Sequence, residues 1–275
     1  MNHEFFDYLR PGRMPHIFCP GCGHGITMQG LLRAIDKLEL DKNKVVVVSG
    51  IGCSSRIPGY LDFNTLHTTH GRALPFATGI KMARPDLTVI VVSGDGDATA
   101  IGGNHFIHAC RRNIDLSLFV LNNNIYGMTG GQYSPTTYFG SRSTTSPYGN
   151  LDPEFEICKL AKSAGASYVA RGTCYHAQQM SKLFSDAIQN KGLSVVEIWS
   201  QCPTYYGRKN RLPEPMDLML WQKEHTYTAA EAKRKTPEEL EGKFLRGVIH
   251  HEPRPEYVQA YEELIERVGG AKKSA

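Results

Sequence analysis

Leu87-Thr88-Val89-Ile90-Val91-Val92-Ser93, running straight into Gly94-Asp95-Gly96-Asp97, is the stretch on which the fold of this chain turns. A short run of mostly β-branched residues closed by a glycine turn reads as a buried strand. Similar runs stand at Lys44 to Ser49, Leu116 to Asn122 and Ser194 to Ser200, with helically spaced segments between them. In Gly25 to Leu38 the residues Ile26, Leu31, Leu32, Ile35 and Leu38 share one helical stripe, while Arg33, Asp36 and Lys37 fall away from it. Nearly continuous apolar strands alternating with amphipathic helices predict an α/β fold with a doubly wound parallel sheet over residues 1 to 205. Beyond Cys202 the chain is broken by Pro203, Pro213 and Pro215, so 206 to 275 is expected to form a C-terminal arm with short helices at Met216 to Arg234 and Glu256 to Val268. The Gly-, Ser-, Thr- and Tyr-rich stretch Tyr126 to Asn150 lacks periodicity and is expected to be a long ordered or ligand-gated loop.

Composition excludes several classes. The chain has 275 residues, 41% hydrophobic and 21% charged, enough for one sizeable core and too apolar for disorder. Its net charge of +4 gives no basic surplus that would argue for nucleic acid or an anionic membrane. The longest aliphatic run, Val45 to Val48, falls far short of the roughly 20 residues that span a bilayer. Seven cysteines make an odd and sparse count, and Met1 to Arg10 has no signal-peptide character, so a reducing cytoplasm is the expected compartment.

Two constellations carry chemistry. Asp95 follows one strand, and Asn122, Asn123 and Asn124 end the next, which brings a carboxylate and an amide to neighbouring strand ends, where ligands collect in open parallel sheets. Such oxygens suit Mg2+, normally completed by phosphates, and the glycines around Asp95 allow a diphosphate to approach the backbone. Gly102-Gly103 is expected to open a helix whose N-terminus favours an anion. An ordinary Gly-Asp-Gly turn is the plain alternative for that tripeptide taken alone. The second constellation is Cys19-Pro20-Gly21-Cys22 with Cys53 and Cys202. Its spacing suits zinc, with His16 or His24 as a further ligand, or an iron-sulfur cluster, and does not choose between them. Cys110, Cys158 and Cys174 read as small buried core residues.

Six motifs in order, C-P-G-C-G-H-G, G-I-G-C-S-S-R, H-T-T-H-G-R-A, G-D-G-D, Y-G-M-T-G-G-Q-Y-S-P-T-T and C-P-T-Y, are similar to the thiamine diphosphate-binding β subunit of 2-oxoacid:ferredoxin oxidoreductases. The resemblance implies the thiamine diphosphate-binding fold, with Asp95, Asn123 and the carbonyl of Ile125 holding Mg2+. It implies that Cys19, Cys22, Cys53 and Cys202 hold a 4Fe-4S cluster. The cofactor would touch Ile51, Gly52, Cys53, Ser54, His70, Gly71, Gly96, Asp97, Gly127, Met128 and Thr129. His70 is the candidate catalytic neighbour, His67 is less clearly placed, and Arg56 is the candidate cation for the substrate carboxylate, with a solvated arginine as its plain alternative.

The implied reaction is CoA-dependent oxidative decarboxylation of a 2-oxoacid, run in either direction, with ferredoxin as electron acceptor. Cys202-Pro203-Thr204-Tyr205, the Met216 to Lys223 segment and Gly247-Val248-Ile249-His250 favour 2-oxoglutarate over pyruvate or a branched-chain acid. Thiamine enzymes use two such domains and this chain has room for one. An α subunit carrying the pyrimidine-binding domain is therefore expected, in an αβ or (αβ)2 assembly. Arg208, Lys209 and Arg211 are expected to form a solvated basic loop. A non-redox thiamine carboligase or decarboxylase and a zinc-stabilised assembly protein are the competing classes.

Overall fold

Strands β1 Val45–Ser49, β2 Asn64–His67, β3 Thr88–Gly94, β4 Ser117–Asn122, β5 Tyr168–Thr173, β6 Ser194–Trp199, β7 Thr226–Thr228 and β8 Phe244–His251 form one sheet in a computed structural model that describes residues 3–271. The strand order is β2-β1-β3-β4-β6-β5-β8-β7, and every pairing is parallel except β5 with β8. The helices are α1 His24–Lys37, α2 Ile57–Tyr60, α3 Ala73–Ala83, α4 Gly103–Arg112, α5 Ile157–Ala164, α6 Ala177–Gln189, α7 Pro215–Glu224, α8 Ala229–Ala232, α9 Pro237–Leu240 and α10 Tyr257–Ala271.

The apolar runs are continuous because both faces of the sheet are covered. Val45, Val47, Ile90, Val92, Phe119 and Leu121 join one core with α1 and α6. The alternating residues Val46, Val48, Val89, Val91, Leu118 and Val120 join another core with α3, α4 and α5. Four expected strands match β1, β3, β4 and β6 to within a residue, and the expected helix matches α1.

The C-terminal segment departs from expectation. β8 pairs with β5 and carries β7 on its far side, so residues beyond 205 extend the sheet as well as supplying short helices. β5 is hard to see in sequence because Arg171 interrupts it. That guanidinium is buried, bonded through Nε to Glu197 at 2.7 Å and through a terminal nitrogen to Glu156. Burial alone pushes Glu197 up, but Arg171 and Asn122 outweigh it and hold the carboxyl below its ordinary value. Arg171→Met is expected to destabilise the chain by about 3–5 kcal/mol, since it strands a buried carboxylate. Urea denaturation at neutral pH measures this, and the loss should shrink as acid protonates Glu197.

The chain reverses direction across the sheet between β1 and β3, since β2 lies on one side of β1 and all later strands on the other. The crevice beyond the carboxyl ends of β1 and β3 is therefore the topological switch point, where open α/β sheets bind ligands.

Candidate active site and cysteine cavity

The turns after β1, β3 and β4 enclose a cavity of about 140 Å³ at this switch point. Asp97 ties the turn after β3 to those after β1 and β2. Its Oδ1 accepts from the Ile51 N–H at 3.1 Å, the Gly71 N–H at 2.7 Å and His70 Nδ1 at 2.6 Å, and its Oδ2 accepts from Ser93 Oγ at 2.5 Å. Gly50 must lack a side chain, because a Cβ there would stand 2.1 Å from Asp97 Oδ2. A carboxylate saturated by four donors organises the loops, and Asp97 also lines the cavity, as expected of a residue beside the diphosphate. Because Asp97 takes the Nδ1 proton, His70 keeps Nε2 for the cavity it lines. Asp97→Asn is expected to lower turnover by on the order of 10–100-fold through a misoriented His70. Dye reduction by the assembled enzyme is the measurement, and unchanged turnover would remove this role.

Asp95, Asn123 and Ile125 line the same cavity. Asp95 is 2% exposed, and its Oδ2 accepts from Ser134 Oγ at 2.5 Å and Thr136 Oγ1 at 2.6 Å. Burial holds its carboxyl above the ordinary value despite these bonds. Asn123 Oδ1 accepts the Ile125 N–H at 3.2 Å, which turns the backbone under the cavity. A carboxylate, an amide oxygen and a backbone carbonyl on one wall fit a hard divalent cation. The cavity also holds Ser54, whose buried hydroxyl has no partner among the described residues, as a ligand-contacting group would. The chain's own residues therefore fit a metal-bound diphosphate.

A second cavity, of about 350 Å³, is walled by Cys19, Cys22, Cys53 and Cys202. Burial pushes the Cys22 thiol up to about 12 and Cys53 up to about 11, and raises Cys202 as well, with neighbouring thiols adding to the effect. Among the described residues the one group of three or more His, Cys, Asp or Glu side chains with ligand atoms all within 4.8 Å is Glu156, Cys158 and Glu197, whose two carboxylates already hold the Arg171 cation. No three of the four thiols have their sulfurs all within 4.8 Å of one another, against the roughly 3.8 Å between sulfurs that tetrahedral zinc imposes at a Zn–S distance of about 2.3 Å. Their donor set and room fit a polynuclear cluster. Neither His16 nor His24 lines this cavity.

The two cavities share Cys53, Asn123, Gly127 and Met128 as a common wall. A Cβ on Gly127 would lie 3.4 Å from Cys53 Sγ and 3.8 Å from Cys202 Sγ, so the bare backbone of this shared glycine lies directly beside two of the thiols.

Most expected cofactor contacts converge as read: Ile51, Gly52, Cys53, Ser54, His70, Gly96, Gly127, Met128 and Thr129 all line the first cavity. Other positions move. Gly71 lies behind the wall, where its N–H serves Asp97. The helical turn facing the crevice begins at Asp95, and Gly102 packs against Asp97's own carbonyl, so Gly102-Gly103 offers no anion site there. His67 is held on β2 by Ser49 and stays off the cavity. Arg56 is exposed and lines the cysteine cavity rather than the first one.

Sequence reading missed Ser134, Thr136 and Tyr126 as parts of the site, and weighed His24 only as a ligand beside the cysteines. The Tyr126 hydroxyl donates to the Gly96 carbonyl at 3.2 Å, and Gly96 is required because a Cβ would meet the tyrosine ring at 2.2 Å. His24 is buried with Nδ1 2.6 Å from Ser200 Oγ, and burial pulls it down to about 4, so it lines the cavity as a neutral ring. Cys110, Cys158 and Cys174 are buried, as read.

Residues 50–198 match the family model described as thiamine pyrophosphate enzyme, C-terminal TPP binding domain. The 2-oxoglutarate synthase subunit KorB of Methanocaldococcus jannaschii is 52% identical over 97% of this chain and 98% of its own length. The chain belongs to the KorB family of 2-oxoglutarate oxidoreductase subunits. KorB of Archaeoglobus fulgidus is 56% identical over 82% of each chain. A solved 2-oxoglutarate:ferredoxin oxidoreductase from Magnetococcus marinus, with 2-oxoglutarate, coenzyme A and succinyl-CoA bound, has 34% identity and a TM-score of 0.86 over 96% of this chain and 90% of that one. Within the KorB-type chain the matched domain holds every residue lining the first cavity except His24, and holds Cys53, whereas Cys19, Cys22 and Cys202 lie outside it, on the segments that flank it. Among the described residues no helix is long and apolar enough to cross a membrane.

Proposed function

We propose that this chain is the subunit that binds thiamine diphosphate, Mg2+ and a 4Fe-4S cluster in an enzyme that oxidises 2-oxoglutarate with coenzyme A to succinyl-CoA and CO2, with ferredoxin as electron acceptor. The observation that carries the reading is the shared wall: Cys53 and Gly127 bound both the diphosphate cavity and the cysteine cavity. Bound thiamine diphosphate supplies a carbon nucleophile and an electron sink for loss of CO2. Asp95, Asn123 and the Ile125 carbonyl would hold the cation. The backbone at Gly96 and Asp97, where a helical turn begins, favours the diphosphate's negative charge. His70, oriented by Asp97, presents Nε2 to the cavity and can carry a proton there. Cys19, Cys22, Cys53 and Cys202 would hold the cluster that takes up electrons next to the site.

The partner is an α subunit with the pyrimidine-binding domain, and this chain alone should turn nothing over. Anaerobic purification of the complex tests the reading. About four irons per copy of this chain are expected, with dye reduction at least about tenfold faster with 2-oxoglutarate than with pyruvate or a branched-chain acid. A colourless zinc protein, a preference for pyruvate, or full turnover by the isolated chain would each overturn the corresponding part.

A further inference from the structure

Ser134, Thr136 and Thr137 sit in the irregular loop 126–150, yet they are 1%, 1% and 0% exposed. Buried hydroxyls in a loop need partners, and here the partner is the proposed cation ligand. Ser134 and Thr136 both reach Asp95 Oδ2, at 2.5 and 2.6 Å. Thr136 Oγ1 also lies 2.9 Å from Asn122 Oδ1, but it has one proton to give. Asn122 does not need that proton. Its Oδ1 already accepts the Asn124 N–H at 3.0 Å, and its Nδ2 is fixed on Glu197 at 2.8 Å. The Thr136 proton is therefore available to the Asp95 carboxylate, whose Oδ2 is filled by two hydroxyls from the loop side, with the Asp95 and Asn123 backbone also bonded to the carboxylate.

The geometry points to Ser134 and Thr136 as positioning residues that clamp Asp95 through Oδ2, present Oδ1 to a divalent cation, and so couple cation binding to closure of the 126–150 loop. The inference rests on reading Asp95 as a ligand of the thiamine site. The loop is anchored beside the clamp by Thr137 Oγ1, which donates to the Asn124 carbonyl at 2.6 Å, and by Asn150 Nδ2, which donates to the Thr137 carbonyl at 2.9 Å. Linkage is reciprocal: whatever fixes Asp95 for the cation also holds the loop, and the cation in turn protects the loop. Arg142 is an exposed reporter within it. Its backbone is pinned to Asn210 on both sides, at 2.7 and 3.0 Å, so tryptic cleavage there requires the loop to open.

The test uses the assembled complex carrying Thr136→Val, Thr136→Ser or Ser134→Ala. Thiamine diphosphate binding is titrated against Mg2+ and trypsin cleavage after Arg142 is followed with and without both ligands. Thr136→Val and Ser134→Ala should raise the half-saturating Mg2+ about tenfold or more, as loss of a partner behind a metal ligand does. Thr136→Ser, which restores the hydroxyl, should return it to near the wild-type value. Mg2+ with thiamine diphosphate should slow the Arg142 cut in the wild type and do so less in Thr136→Val. Ser134→Ala, a minimal truncation, carries the test if Thr136→Val does not fold. Wild-type Mg2+ dependence in the folded variants overturns the clamp and leaves the cation site standing. A wild-type complex that binds thiamine diphosphate without any divalent cation overturns both.

Discussion

Asp95→Asn in the assembled complex is expected to abolish Mg2+-dependent thiamine diphosphate binding at millimolar Mg2+ while leaving the unliganded chain at least as stable as before. The two hydroxyls on Oδ2 and the proposed cation on Oδ1 both require an acceptor, and an amide has one oxygen to offer. If the amide oxygen faces Ser134 and Thr136, an NH2 group faces the cation. If it is flipped, both buried hydroxyls confront N–H donors. Either way the loss should exceed the roughly 10–100-fold that follows removal of a group behind a ligand. Stability moves the other way. Burial raises the Asp95 carboxyl above its ordinary value, so at neutral pH the folded, cation-free chain bears the cost of a buried charge that the unfolded chain does not. That cost is relieved as pH falls toward the raised value, and Asn removes it at every pH. Thermal melts of the unliganded chain at neutral and mildly acidic pH should therefore converge for the wild type and the variant as pH falls. Calorimetric titration with thiamine diphosphate and Mg2+ supplies the binding arm, and wild-type affinity in the variant would take Asp95 out of the site.

The difference between what was legible in the sequence and what was not follows from how each residue is used. β1, β3, β4 and β6 are apolar on both faces and announce themselves, and Asp95 and Asn123 sit on their ends, where ligand chemistry is expected. β5 and β8 break the pattern because they carry Arg171, Arg246 and two glycines, and Arg171 is tolerated inside only through Glu197 and Glu156, which lie far from it in sequence. Asp97 was recognised as part of the site, but its second task was not visible: a Gly-Asp-Gly-Asp string does not reveal that this carboxylate also ties down the turns after β1 and β2. Ser134 and Thr136 were hidden for a similar reason. Hydroxyl residues in an aperiodic stretch look like solvated loop, and only the folded chain shows both pointing at one buried oxygen. A usable signal was present nonetheless, since Tyr126 to Asn150 is far longer than most connections in compact α/β domains, and such length usually reflects a functional loop.

Cys202→Ala should separate the two cavities. Of these two cavities Cys202 lines the cysteine cavity alone, whereas Cys53 lines both, so removing Cys202 withdraws one proposed cluster ligand without removing a lining residue of the diphosphate site. The expected variant complex is colourless, lacks the dithionite-bleachable absorbance of an iron-sulfur protein, and has lost ferredoxin reduction, yet it binds thiamine diphosphate with affinity within about threefold of the wild type. Cys53→Ala is expected to lose the cluster and weaken cofactor binding together, because its turn begins at Ile51, whose N–H is held by Asp97. Cys110→Ala, buried between helix and sheet, is expected to keep colour and turnover and lose only packing, by about 1 kcal/mol or a little more. The three variants distinguish the competing accounts of the cysteines. If zinc filled the cavity, no variant would change colour and ferredoxin reduction would survive Cys202→Ala. If the cluster served stability alone, Cys202→Ala would melt earlier and still pass electrons. Loss of electron transfer with cofactor binding retained is expected only if the cysteine cavity holds the electron acceptor and the diphosphate cavity stands without it.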